Sequence, residues 1–426
     1  ERSLRADSAQ ALQRSWLWSG LTRFTRQPAA AIAVGTGALL AAAGFAVSLH
    51  LSIGDLDPGA PELRPDSRYN QDNAYLISHY AASTDILTVM ATTPPDRCTS
   101  YGALSTLDAL AWQLEQLPGV ESTNSMAALS KLAMVGYNEG HLKWFELLPN
   151  ESALGGVQTR APRELFNQSC SFLALYVYLK DHKAETLERV VAEVERFKAQ
   201  NDSPELTFKL AAGSAGIDAA TNIVVRQAMR EMLLWVYAAV VLLCWITFRS
   251  WRAVIVAVLP LMLTSILCEV LMVGLGMGVK VATLPVIALG VGIGVDYALY
   301  VLSVTLARLR AGDSLADAYA HALQFTGRVV MLTGVTLALA VGTWAFSPIK
   351  FQADMGILLA FMFVWNMVGA LVLLPALAHF LLPVARSDQV ESTATAATAT
   401  DAGAPSHGAA PRFHTFSIFH PKQETP

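Results

Sequence analysis

Apolar residues gather along this chain in six long runs separated by polar stretches. A run of roughly 17 to 25 apolar residues can cross about 30 Å of hydrocarbon as a helix. On that measure Ala29 to Ile53, Leu233 to Phe248, Ala253 to Leu275, Val281 to Leu306, Val329 to Phe346 and Met355 to Leu382 each predict a membrane-spanning helix. The second run is short and must borrow a turn from the helix preceding it.

Between the first two runs, from about Ser52 to Met232, the pattern changes. "DILTVMA" (Asp85 to Ala91), "GVESTNSMA" (Gly119 to Ala127), "CSFLALYVYLK" (Cys170 to Lys180) and "LTFKLAAG" (Leu206 to Gly213) predict strands. "YGALSTLDALAWQLEQL" (Tyr101 to Leu117) and "AETLERVVAEVERFKAQ" (Ala184 to Gln200) predict amphipathic helices. The order βαββαβ is that of a ferredoxin-like unit. Residues 128–169 would be inserted between its middle strands, and they show no period that assigns them a structure. The predicted fold is thus an α-helical membrane protein with one helix, an α+β domain and five further helices. Its parts are an amphipathic lead-in at 1–28, a first helix at 29–53, the α+β domain at 54–230 and a five-helix bundle at 231–384. Residues 385–426 include "SDQVESTATAATATDAGAPSHGAA", which has no aromatic residue and cannot bury a core, and so predict a disordered tail.

Composition agrees with a membrane protein: of 426 residues 53% are hydrophobic and only 15% charged. Mean hydropathy is +0.40. A net charge of −4 and the lack of a basic cluster with interleaved aromatics argue against nucleic-acid binding. Positive residues are retained on the cytoplasmic side of a membrane. Arg14, Arg23 and Arg26, then Arg249 and Arg252, then Arg308, Arg310 and Arg328, and finally Arg386 occupy alternate connections. Both termini are therefore expected in the cytoplasm and the α+β domain outside. The opposite connections hold only Lys280 and Lys350. Cys98 follows the first strand and Cys170 starts the third, which are antiparallel neighbours in a ferredoxin-like sheet. An oxidising compartment would permit a disulfide between them, the alternative being two unrelated thiols. Cys244 and Cys268 lie in apolar runs and read as core fillers.

The fourth run, "LPVIALGVGIGVDYALYVLSV", holds one carboxylate, Asp296, roughly 20 Å from its outer end at 1.5 Å per residue. A charge at mid-helix costs about 2.5 to 3.5 kcal/mol even on insertion scales, so it persists where it faces protein or water and usually because it works. Thr333 and Thr336 of the fifth run reach a similar depth, Asn366 of the sixth lies about one turn further out, and Tyr297 adds a phenol. No Lys or Arg lies at that depth, which suits a group that takes up and releases protons. The alternative is a permanently protonated acid holding helices together through the threonines. Such bonds average under about 1 kcal/mol in membranes, so the relay reading is preferred. Glu269, near the outer end of the third run, is open to either role. Gly290 and Gly294 have the GxxxG spacing that admits a close helix neighbour; with no preceding strand and no Lys, the stretch is not a nucleotide loop. His79, His141 and His182 show no metal or triad spacing, so neither an enzyme nor a metal or cofactor site is expected.

These residues resemble a known family. One span, a large mixed domain and five clustered spans with "GVGIGVDYALY" in the third of the five is similar to one half of a resistance-nodulation-division (RND) superfamily transporter. The Asp-Tyr pair resembles the MMPL branch, the mycobacterial large membrane proteins, and "RQPAAAIAV" resembles the lead-in to the first helix of each half. The resemblance covers about Arg23 to Leu382. It implies proton-driven export of hydrophobic or lipid-like substrates across a bacterial inner membrane, Asp296 and Tyr297 as proton relay, and a porter-type role for the α+β domain. It also implies a complementary six-helix half, supplied by the same longer polypeptide or by a second subunit. The competing expectation is a sterol- or lipid-sensing scaffold that shares the five-helix cluster without pumping.

Overall fold

The computed structural model describes residues 16–57, 59–80 and 83–382. The expected tail and the first part of the lead-in lie outside the described residues. The chain begins with α1 (Trp16–Thr22) and α2 (Ala29–Ser48), whose twenty residues include no charged side chain. A polar segment then leads to α3 (Arg68–Tyr80).

A region of mixed structure follows: β1 (Ile86–Thr92), α4 (Tyr101–Glu115), β2 (Val120–Ser125), α5 (Met126–Tyr137), α6 (Glu151–Gln158), β3 (Phe172–Leu179), α7 (Ala184–Asn201) and β4 (Thr207–Ala212). The strands form one sheet in the order β2-β3-β1-β4, with every adjacent pair antiparallel. β1 pairs with β3 from Ile86–Tyr178 to Thr92–Phe172. Alternation puts Leu87, Val89 and Ala91 on one face of β1. They are buried with Leu175 and Val177 of β3, against Leu104, Leu107 and Leu114 of α4 and Leu187, Val190 and Val194 of α7. Each fully buried Leu or Val contributes about 1.5 to 3 kcal/mol of transfer free energy.

The segment 128–169 is largely helical. Ser125 ends β2 and caps α5 by accepting from Ala128 N, and Asn150 caps α6 by accepting from Ser152 N and Ala153 N. Cys98 and Cys170 are joined in a disulfide, with Cα atoms 4.9 Å apart.

Gly213 turns β4 directly into α8 (Ser214–Phe248). It has φ +78°, and a Cβ there would lie 2.3 Å from Ile86 O, so only glycine fits. The apolar run counted from Leu233 is the second half of this 35-residue helix. Next come α9 (Trp251–Gly274) and α10 (Leu284–Arg310). They are followed by α11 (Leu315–Phe346), with a π turn at Leu323–Gly327, and α12 (Lys350–Leu381), with another at Gly369–Leu373. Helices α2 and α8 to α12 are the six long and apolar enough to cross a membrane. α9, α10 and α12 are packed far more completely than α2, α8 and α11, which therefore face lipid or another protein.

One end of the bundle is strapped by a segment that includes residues 52–57 and 59–64. Gly54 N donates to Val279 O at 2.8 Å and Val279 N to Ser52 O at 3.0 Å. A Cβ on Gly278 would lie 1.9 Å from Gly54 O, so this approach excludes a side chain. Lys280 meets Asp55 at 2.8 Å, Lys350 meets Asp57 at 2.9 Å, and Arg64 Nη2 donates to Ala345 O at 2.8 Å. The strap thus ties the α9–α10 and α11–α12 connections together. Ala184 N at the start of α7 also donates to Asp55 O at 2.9 Å, which joins the sheet region to it.

Candidate functional site

Helix α10 carries the acid. Pro285 lies in its first turn, where a missing N–H costs nothing, and Arg308 and Arg310 complement the dipole at its C-terminal end. Ile287, Gly290, Val291, Gly294, Ala298 and Val301 recur every three or four residues and are buried. The helix therefore presents that stripe to its neighbours. Gly290 and Gly294 face α12: a Cβ at either would lie 2.4 Å from Met362 or Asn366.

Asp296 is not on this stripe. At 100° per residue it falls on the other side, with Leu289, Gly292, Tyr300 and Ser303 in a second, exposed stripe. No charged residue is near it, and it has no hydrogen bond or ion pair among the described residues. Tyr297, one residue on, turns inward and is 3% exposed. Its buried hydroxyl makes no hydrogen bond of ordinary geometry, although Thr333 is its polar neighbour.

The other residues expected beside the acid are placed differently. Thr333 and Thr336 are exposed on α11, and each satisfies its hydroxyl within its own helix, donating to Val329 O at 2.8 Å and Leu332 O at 2.7 Å. Asn366 is buried in α12, where Nδ2 donates to Gly290 O at 2.8 Å and Oδ1 has no partner. The five residues therefore do not form one hydrogen-bonded network: the acid and the two threonines stand at the surface, and the phenol and the amide lie beneath it. α10 and α11 both pack on α12, which leaves the acid and the threonines on helices that share this backing.

Glu269 is half-buried in α9, close to Ser48 at the end of α2 and to Tyr237 of α8. Tyr237 bonds Ser265 at 2.7 Å. Sequence reading missed this Tyr237–Ser265 pair, because a tyrosine inside an apolar run carries no periodic signal. It also missed Asp354, which is buried and meets Lys350 at 3.1 Å. Among the described residues, no cluster of three or more His, Cys, Asp or Glu could hold a metal ion.

Comparison with known proteins adds a family to this geometry. The chain is 30% identical over 151 residues to the hopanoid transporter HpnN of Burkholderia multivorans (strain ATCC 17616 / 249). That match covers 35% of this chain and only 16% of the relative's length. The model of the MMPL family matches residues 172–398, just over half of the chain and including β3, α7, β4 and all five helices of the bundle. The protein therefore belongs to the MMPL family of RND-type transporters.

Proposed function

We propose that the chain forms one half of a proton-driven exporter of hydrophobic or amphipathic, lipid-like molecules, with Asp296 and Tyr297 as its intramembrane proton relay. One observation carries the reading: a mid-helix carboxylate stands unpaired on an exposed stripe of a membrane helix, a placement too costly to keep in lipid. A complementary six-helix half, in the same polypeptide or a second subunit, covers that stripe. Tyr297 passes the proton inward past Thr333, Thr336 lines the covered face, and Asn366 fixes the packing of α10 on α12. Glu269 is a secondary acid toward the sheet-bearing end. The matched relative, named a hopanoid transporter, supports a lipid-like substrate.

The sheet region, 54–230, is in this reading an external porter-type unit of ferredoxin-like topology. Its strand order β2-β3-β1-β4 and antiparallel neighbours support that. The alternating Arg clusters support cytoplasmic termini, and the family resemblance supports a bacterial inner membrane. The disulfide supports an oxidising compartment for the sheet region.

The test is Asp296→Asn in the intact native polypeptide, reconstituted in vesicles with an imposed pH gradient. Substrate-linked proton flux is expected to vanish while lipid binding persists. Undiminished flux in the variant would overturn the relay. Lipid binding without any flux in the unmodified protein would favour the sensing scaffold.

A further inference from the structure

Where the strap, the sheet region and the bundle meet, a cavity of about 180 Å³ is lined by Asp55, Glu62, His182, Asp218, Asn222 and Lys280. His182 is 5% exposed. Its Nδ1 faces Asp85 Oδ1 at 3.1 Å. Nε2 is buried and has no partner among the described residues, and neither does Asp85 Oδ2. An unpaired buried nitrogen of this kind is costly unless it gains a water or a ligand.

The charges around it come from every adjoining element. Asp85 precedes β1, Asp55 and Glu62 belong to the strap, Asp218 is on α8, and Lys280 is on the α9–α10 connection, bound to Asp55 at 2.8 Å. On the ring's own segment Asp181 accepts from Thr186 at 2.7 Å and lies 4.0 Å from Lys183, so both of those charges are engaged. Asp85, Asp55 and Asp218 thus act on His182, with Glu62 near Asp218 and Lys280 bound to Asp55. Two residues further on, Ala184 N donates to Asp55 O, the backbone tie between sheet region and strap.

We propose that His182 is a proton-binding site that latches the sheet region to the helix bundle, closed when the imidazole is protonated and loosened when it is neutral. The imidazolium offsets the mutual repulsion of Asp55, Asp85 and Asp218 and holds the strap against the start of α7. Without the proton the repulsion among Asp55, Asp85 and Asp218 is no longer offset, and the Asp55–Ala184 tie opens more often. This inference does not depend on the transport reading. Burial lowers the affinity of His182 for its proton, but the hydrogen bond and charge of Asp85, with Asp55 and Asp218 behind it, outweigh burial and hold its pKa above the ordinary 6.5. The latch therefore contributes fully below 6.5 and is lost as pH rises through the raised value.

Histidines labelled with ¹³C at Cε1 would be titrated in the full chain in detergent micelles, alongside hydrogen exchange of residues 181–187 and 278–284. The resonance missing from His182→Gln, or displaced most by Asp85→Asn, is His182. The expected midpoint is above 6.5 in the unmodified protein and at or below it in Asp85→Asn. Protection at both segments, taken relative to the intrinsic base-catalysed rate at each pH, should fall as pH passes the midpoint, by about tenfold for each unit the midpoint exceeds the ordinary value. A midpoint at or below 6.5 in the unmodified protein would overturn the site. A high midpoint with exchange indifferent to it would overturn the latch. Asp85→Asn keeps the shape of its acceptor, so the outcome stands even where His182→Gln does not fold.

Discussion

In the sheet region half-buried Asp85 meets buried His182, and Lys131 meets Asp108 at 2.6 Å; in the bundle the carboxylate of Asp296 has no partner and stands on an exposed stripe of α10. The contrast follows from how each region closes. A sheet covered by α4 and α7 buries one face completely, and pairs most of the charges near it within the same region. The bundle buries α9, α10 and α12 but leaves α2, α8 and α11 largely open, so part of its chemistry sits on the outer surface of this chain. In the proposed reading a complementary half covers that surface.

The comparison breaks most visibly at Asp296. Asp296→Asn should cut proton-linked transport at least about a hundredfold, while thermal unfolding of the isolated chain moves by no more than about 0.5 kcal/mol, as for other surface positions. A large loss of stability would mean that the acid is held by its own half after all. Cys98→Ser together with Cys170→Ser opens a 72-residue link and should cost the sheet region about 4 kcal/mol. Hydrogen exchange should then quicken in β1 and β3 but not in α10; loss of protection in both would show the regions to be one cooperative unit. Leu107→Ala empties a fully buried position under the sheet and should cost about 3 kcal/mol, read by denaturant unfolding. Gly294→Ala drives a methyl into Asn366 and should cost about 1 to 3 kcal/mol of bundle stability, seen as faster exchange in α10 and α12. If Asn366 yields freely, the effect will be small and the α10–α12 contact is looser than the sheet's.

Much of this was legible in the sequence because period and length are local signals. Tyr101 to Leu117 predicts α4 to within two residues of its end, where Pro118 and Gly119 stop it. The six spans are legible for the same reason, since a membrane demands an apolar run of nearly fixed length. α8 is read only in part, because its first turns carry Asp218, Arg226, Arg230 and Glu231 and so fail an apolar test while remaining helical. Residues 128–169 show too little periodicity to betray α5 and α6, which depend on the caps at Ser125 and Asn150. The candidate site divides in the same way. The depth of Asp296 can be counted along its helix, but its direction is weakly marked: Tyr300 and Ser303 share its side, yet Tyr297 and Thr305 lie on the other, so the polar residues alone do not say which side is buried. Only the packing of Gly290 and Gly294 on α12 decides that, and with it the outward position of the acid. Asp85 and His182 lie 97 residues apart, which no spacing rule could have joined.

Helix α8 has one more consequence. Its 35 residues contain no proline and run unbroken from the turn at Gly213 to Phe248, about 52 Å at 1.5 Å per residue. Such a rod resists torsion along its whole length, and its two ends are gripped by different bodies, β1 and β4 at one and α9 and α10 at the other. With no break along it, the helix offers no hinge between them, so a displacement of either region acts on the far end of an element the other region holds.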